Sequence, residues 1–397
     1  MICLVDPHIF LIVALILLST KALAIVMRRI RLPKVVGALV AGVLLGPSVF
    51  NLVQPNETIS IIAEFGVIFL LFSAGMETDL KQLRDSFKAS MLISVLGVVA
   101  GLGGGFIVAY AFGWSLFESF FIGVIIASMS TSITVEALQE LGKLRTKSGT
   151  AILAASLFDD ILVIVILAVV MGLGVGEVNF ATVSIIMIKI VVFFVFAVLS
   201  GLAVNKLFNF MYDKFGNKGR LSVYAIAYCL LMAYFAEFFG LADITGAFIA
   251  GIAFCNTRCV DYLETNTHVL SYILFTPIFL ANIGIHTMFS GLTGSMILFA
   301  ILLTVASILS KVVGCGLGAK ISNYTNKESM QVGAGMIARG EISFIVASKG
   351  IAVGFISSLI FPSVIVVVLV TALITPLLLK AAYASETSEA SNASNVS

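Results

Sequence analysis

The sequence predicts an all-α, polytopic membrane protein of about thirteen transmembrane helices, arranged as two inverted repeats with two crossed broken helices. Three observations predict it. The 397 residues are 60% hydrophobic and only 11% charged, whereas soluble chains carry about 25% charged residues. Thirteen apolar runs approach the roughly 20 residues that cross a bilayer. The basic residues fall on alternate connections between those runs. This composition excludes a soluble enzyme, a nucleic-acid binder and a disulfide-stapled secreted domain. The five cysteines and three histidines offer no four-ligand zinc spacing, so no metal cofactor is expected.

The runs cover residues 8–27, 34–50, 58–76, 88–112, 115–140, 149–173 and 180–205, then 220–239, 240–256, 268–290, 292–318, 328–351 and 354–380. Asp6 and His8 precede the first without a basic lead-in, so it is expected to remain a helix and not to be cleaved as a signal. Arg28, Arg29, Arg31 and Lys34 follow the first run, Lys81, Arg84 and Lys88 the third, and Lys143, Arg145 and Lys147 the fifth. Lys206, Lys214, Lys218 and Arg220 follow the seventh, Arg258 the ninth, Lys320 and Lys327 the eleventh, and Lys380 the thirteenth. Eighteen of the 23 Lys and Arg thus lie on one side, which puts the N-terminus outside and the C-terminus in the cytoplasm of a plasma-membrane protein. Lys21 and Lys349 lie near span ends and can extend to the interface; Lys189 either does the same or has a function. Residues 381–397 are small, polar and aperiodic, and are expected to form a disordered cytoplasmic tail.

VGALVAGVLLGPS (Val36–Ser48) and TGAFIAGIAFCNT (Thr245–Thr257) place Gly37, Ala38, Ala41 and Gly42 over Gly246, Ala247, Ala250 and Gly251 at an offset of 209. Ser132-Ile133-Thr134 meets Glu341-Ile342-Ser343 at the same offset. GA-x-x-AG alone also suits simple helix packing, but the matches in register point to a duplication. The charge map runs the two copies in opposite directions, the design of transporters whose ion site lies at the midplane where broken helices meet.

Asp159 and Asp160 lie about ten residues into the sixth run, near the bilayer centre. Each ionised carboxylate there costs at least about 2.5–3.5 kcal/mol, which structure alone does not explain. Neighbours on a helix diverge by about 100°, so one can face an ion pathway while the other meets a partner helix. Lys311, in the eleventh run, is the candidate partner of Asp159. Ser156, one turn before Asp160, either adds a hydroxyl to that face or bonds back to its own helix. SMSTSIT (Ser128–Thr134) carries five hydroxyl residues in seven, a candidate helix break. GAGMIARGEIS (Gly333–Ser343) sets glycines beside Arg339 and Glu341, and the repeat offset superposes the two irregular stretches. Glu64 is a possible pathway residue, while Glu118 and Glu136 read as interfacial.

These residues together resemble the monovalent cation:proton antiporters of the second large family, in the two-aspartate sodium/proton branch with an NhaA-like fold. The resemblance runs over nearly all of residues 8–380 and rests on EFGVIFLLFSAGMETDL, STSITVEALQELGKL, GTAILAASLFDDIL, SKVVGCGLGAK and IARGEISFIVA. It implies a homodimer in the bilayer, with 1–56 and 180–267 as the dimerisation scaffold. Residues 57–179 and 268–380 would form a core that carries the ion by an elevator movement. It implies Asp160 as main cation ligand, Asp159 bridged to Lys311 in the empty state, and Thr131 and Ser156 as further ligands. Ser130, Ser132, Arg339 and Glu341 would support the broken helices. An aspartate pair is associated with electrogenic exchange, two protons for one Na+ or Li+. The first break lacks the proline that many relatives have there. Potassium-efflux relatives carry a nucleotide-binding domain after the last helix, and its absence here favours sodium. The alternatives are K+/H+ exchange and Na+-coupled solute symport; enzyme chemistry is not expected.

Overall fold

The computed structural model describes residues 8–174, 180–215, 218–287 and 293–394, and among these every regular element is a helix. In order these are α1 (His8–Arg29), α2 (Lys34–Leu45), α3 (Glu57–Met76), α4 (Leu80–Ala111), α5 (Leu116–Ala127), α6 (Thr131–Glu140), α7 (Lys147–Gly174) and α8 (Phe180–Phe215). There follow α9 (Lys218–Phe238), α10 (Asp243–Phe254), α11 (Val260–Leu270), α12 (Thr276–Ile285), α13 (Gly294–Ile321), α14 (Asn326–Gly335), α15 (Glu341–Ala352) and α16 (Phe361–Ser394). Ten helical segments are long and apolar enough to cross a membrane, with α5–α6 and α11–α12 each counted as one. Three shorter apolar helices, Lys34–Leu45, Asp243–Phe254 and Ile342–Ala352, stand beside them.

Local chemistry sets the ends. Asn56 accepts from the Thr58 N–H at 2.8 Å to cap α3. Asp79 accepts from the Lys81 and Gln82 N–H groups at 2.8 and 3.2 Å, so α4 starts at Leu80 rather than near 88. Ser115 with Glu118, and Thr325 with Glu328, form capping boxes on α5 and α14. The short connections after α4, α9 and α15 turn at Gly113, Gly240 and Gly354, whose φ of 88°, 86° and 74° suits residues without a Cβ.

Three expectations are corrected. The tenth span starts at Val260, not 268, and a π-helical turn at Ser271–Phe275 interrupts it just before Pro277, which has no N–H to give to the ladder. The tail does not fall out of helix at 381: α16 runs to Ser394, with five Ala and no Gly or Pro among residues 381–394. Glu136 is not interfacial but 7% exposed on α6.

The helices pack mainly in two groups. Helix α4 lies against α5, α7 and α13, and α14 and α16 close on α13; α3 lies against α10 and α12, with α1, α2, α8 and α9 around them. Segment 57–76 thus packs chiefly against α10 and α12, and α12 against α2 and α3. Glycines explain the closeness. A Cβ on Gly42 of α2 would meet the Ala281 carbonyl at 2.0 Å, and one on Gly251 of α10 would meet the Phe72 carbonyl at 2.2 Å. Both members of these two contacts differ by the same 209 residues.

Candidate ion-binding site

Two spans break near their middles. Between α5 and α6 the chain unwinds at Ser128–Ser130, with Ser128 at φ −63°, ψ 149° and Ser130 at φ −104°, ψ 107°. Between α14 and α15 it unwinds from Met336 to Gly340. The breaks cross: the Ser130 N–H donates to the Ala338 carbonyl at 2.8 Å. Around that point the Ser128 and Ser343 hydroxyls lie 2.8 Å apart, and the Thr134 hydroxyl donates to the Gly335 carbonyl at 2.8 Å. The serine-rich run thus supplies partners for backbone groups that a broken helix leaves open. A Cβ on Gly340 would stand 2.5 Å from the Ser130 hydroxyl oxygen, so the crossing needs glycine there.

The break lies against α7. The Met129 backbone amide, in that break, lies close enough to Asp159 to act on its charge. Asp159 Oδ1 accepts from Lys311 Nζ of α13 at 2.6 Å, and both side chains are fully buried. Space for that lysine comes from α4: a Cβ on Gly97 would come within 2.3 Å of Cys315 Sγ and 3.6 Å of Lys311 Nζ. Asp160 is 2% exposed and Thr131, first residue of α6, 4%. Among the described residues, Asp159 Oδ2 and Thr131 Oγ1 have no hydrogen-bond partner, so two buried oxygens remain open to a ligand. Four half-helix ends converge here: carbonyl ends of α5 and α14, which favour a cation, and amide ends of α6 and α15, which favour the carboxylates.

Arg339 is fully buried in the second break. Its Nη1 and Nη2 donate to the Met336 and Ser307 carbonyls at 3.4 Å, its backbone N–H reaches Thr371 Oγ1 at 3.2 Å, and its charge acts on Asp159. Ser130 and Ser132 hydroxyls lie 3.2 Å apart. Of the two readings of Ser156, the structure has the back-bond, to the Leu153 carbonyl at 2.8 Å. Glu341 opens α15, but its side chain lies outside the described residues. Glu64 is placed elsewhere: it is exposed on α3, near Asp243 of α10. Sequence reading placed Met129 and Thr134 within the SMSTSIT break without naming their partners, and missed Ser307 and Thr371. The repeat offset was the available signal for the first two, since it superposed the two breaks.

The sodium/hydrogen exchanger transmembrane family matches residues 12–383, nearly the whole chain. The chain belongs to the sodium/hydrogen exchanger family. It is a multi-pass membrane antiporter. Among similar proteins, this exchanger is 35% identical to the Na+/H+-K+ antiporter GerN of Bacillus cereus, covering 94% of this chain and 96% of that one. It is also 35% identical to an Na+/H+ antiporter of Enterococcus hirae, covering 93% and 96%. In fold the exchanger is similar to the sodium proton antiporter MjNhaP1 of Methanocaldococcus jannaschii, with a TM-score of 0.74 at 16% identity over 96% of this chain and 97% of that one.

Proposed function

We propose that this exchanger carries Na+, or Li+ in its place, against protons, and that one buried site serves both. The observation that carries the reading is the Lys311–Asp159 ion pair at 2.6 Å, wholly buried and next in sequence to a second buried aspartate. Asp160 is the main cation ligand, Thr131 adds an oxygen, Ser156 adds another through the lone pairs left free when its proton goes to the Leu153 carbonyl, and Asp159 leaves Lys311 when the cation arrives. In a low-dielectric interior the aspartates need a counter-charge, and the ammonium and the cation compete to provide it. In the empty state Asp160 holds one proton and Lys311 the other, its ammonium paired with Asp159; with a cation bound, both carboxylates are ionised and Lys311, left without its partner, has given up its proton. These mutually exclusive states couple the fluxes. Activity therefore rises with pH through apparent pKa values that belong to the pair and not to either residue.

Two protons exchanged for one Na+ move a net charge, so the membrane potential contributes about 2.3 kcal/mol per 100 mV. The two helix groups suit an elevator in which α4–α7 and α13–α16 move as a core against a scaffold of α1–α3 and α8–α12. The contacts repeated at an offset of 209 support two inverted repeats in an NhaA-like architecture. The scaffold pairs two copies in the plasma membrane, N-terminus outside. K+ as cargo is the second reading, favoured by the relative GerN, named as an Na+/H+-K+ antiporter.

The test is proton flux in proteoliposomes with an imposed pH gradient. Na+ or Li+ should dissipate the gradient in the wild type and not in Asp160→Asn, and the rate should change when the membrane potential is clamped. Full-rate exchange in Asp160→Asn overturns the scheme, and dissipation by K+ alone selects the second reading.

A further inference from the structure

Away from the aspartate pair, a cavity of about 360 Å³ lies between α1, α2, α6 and α12. Its polar lining includes Lys21, Lys34 and Tyr272, and its apolar wall Leu17, Ala38 and Leu280. Lys21 is exposed, and because α1 continues to Arg29 it sits eight residues, about 12 Å, before the basic end of that helix. Its Cα–Cβ bond tilts toward the helix N-terminus, away from that end. Among the described residues no carboxylate pairs with it, although a charge at this depth requires compensation.

Lys34 faces the same cavity. Its Nζ is 3.0 Å from the Tyr272 hydroxyl and 5.6 Å from the ring centroid, and Arg28 lies within its electrostatic reach. The neighbouring Glu140 carboxylate is committed to the backbone N–H groups of Lys34 and Val35, at 2.6 and 3.1 Å. Glu136 of α6 also lines the cavity. The walls continue into apolar surface on α1 and α12's span, where Leu18, Ile25 and Ile273 are 70%, 51% and 66% exposed.

We propose that this cavity binds the headgroup of one anionic phospholipid, its phosphate between Lys21 and Lys34 and its acyl chains along the exposed face of α1. Basic recesses between transmembrane helices take such headgroups, and here cationic side chains and an apolar wall adjoin within one recess. A zwitterionic lipid fits less well, because its own ammonium opposes the two lysines.

The test uses the full chain, purified and delipidated in a neutral detergent. Native mass spectrometry and thermal unfolding are followed on adding phosphatidylglycerol, phosphatidylcholine or inorganic phosphate. Phosphatidylglycerol should give a saturable one-lipid adduct and raise the unfolding temperature, and the other two should not. Lys21→Gln with Lys34→Gln should weaken that adduct at least tenfold. If the double variant does not fold, Lys21→Gln alone and Leu17→Trp, which fills the apolar wall, give the same readout. Equal binding of phosphatidylcholine, undiminished binding by the variants, or equally tight binding of phosphate alone overturns the proposal, the last in favour of a soluble anion.

Discussion

At the scale of single residues, Lys311 and Asp159 stabilise the fold only as a pair. Both are fully buried and 2.6 Å apart, so removing one strands the other charge. Lys311→Gln should cost about 3–5 kcal/mol of stability. Adding Asp159→Asn should recover much of that, and a double-mutant cycle on unfolding in detergent measures the coupling. Strictly additive costs would show that the pair is not coupled. These residues were legible in the sequence because a charge inside an apolar run is expensive, so its presence alone points to a purpose. Their surroundings were not. The Met129 N–H and the Ser307 carbonyl are backbone groups with no compositional mark. Thr371 lies 32 residues from the Arg339 it serves. Ser156 left two readings open because a serine in a membrane helix can bond back to its own carbonyl as easily as outward.

At the scale of elements, the most informative contact spans the seam between the two helix groups. Pro33, before α2, offers no side-chain cap, and Glu140 at the end of α6 supplies one from 106 residues away. Glu140→Ala should lower stability by about 0.5–2 kcal/mol, the usual value of a helix cap. It should leave the apparent KM for Na+ unchanged, because Glu140 is a positioning residue and not a ligand. Unfolding in detergent and a flux titration check the two halves, and an unchanged stability would contradict the capping role. Both helix breaks were legible as hydroxyl- and glycine-rich stretches in otherwise apolar runs. The π-turn at Ser271–Phe275 was not, since SYILF reads as ordinary helix and only its packing against α3 distinguishes it. The last helix outran its expected end because its five Ala and the lack of Gly or Pro let it continue through polar sequence.

For the whole molecule, the hydropathy pattern made the membrane class legible, but the grouping of helices depended on contacts that sequence order hides. Helix α3 packs on α10 because Gly75 and Gly251 let the two approach, with Cβ positions that would meet backbone at 2.2 Å on each side. At the end of α3, burial and the nearby Glu264 charge push the Glu77 carboxyl up to about 7, even though Gln139 donates to it at 2.9 Å. Between the ordinary carboxylate range and pH 7 the folded chain holds a proton that the unfolded chain has released. Its stability therefore falls as pH rises through that window, by about 1–3 kcal/mol. Glu77→Gln should flatten the dependence between pH 5 and 8, and unfolding midpoints in detergent measure it; an unaltered slope would show that other groups cause it. The central claim is that cation and protons occupy one site. It is tested most directly by proton release when Na+ is added to the purified protein in weakly buffered detergent. Saturable release that follows Na+ binding and vanishes in Asp160→Asn is the predicted result. Saturable Na+ binding with no proton released would contradict it.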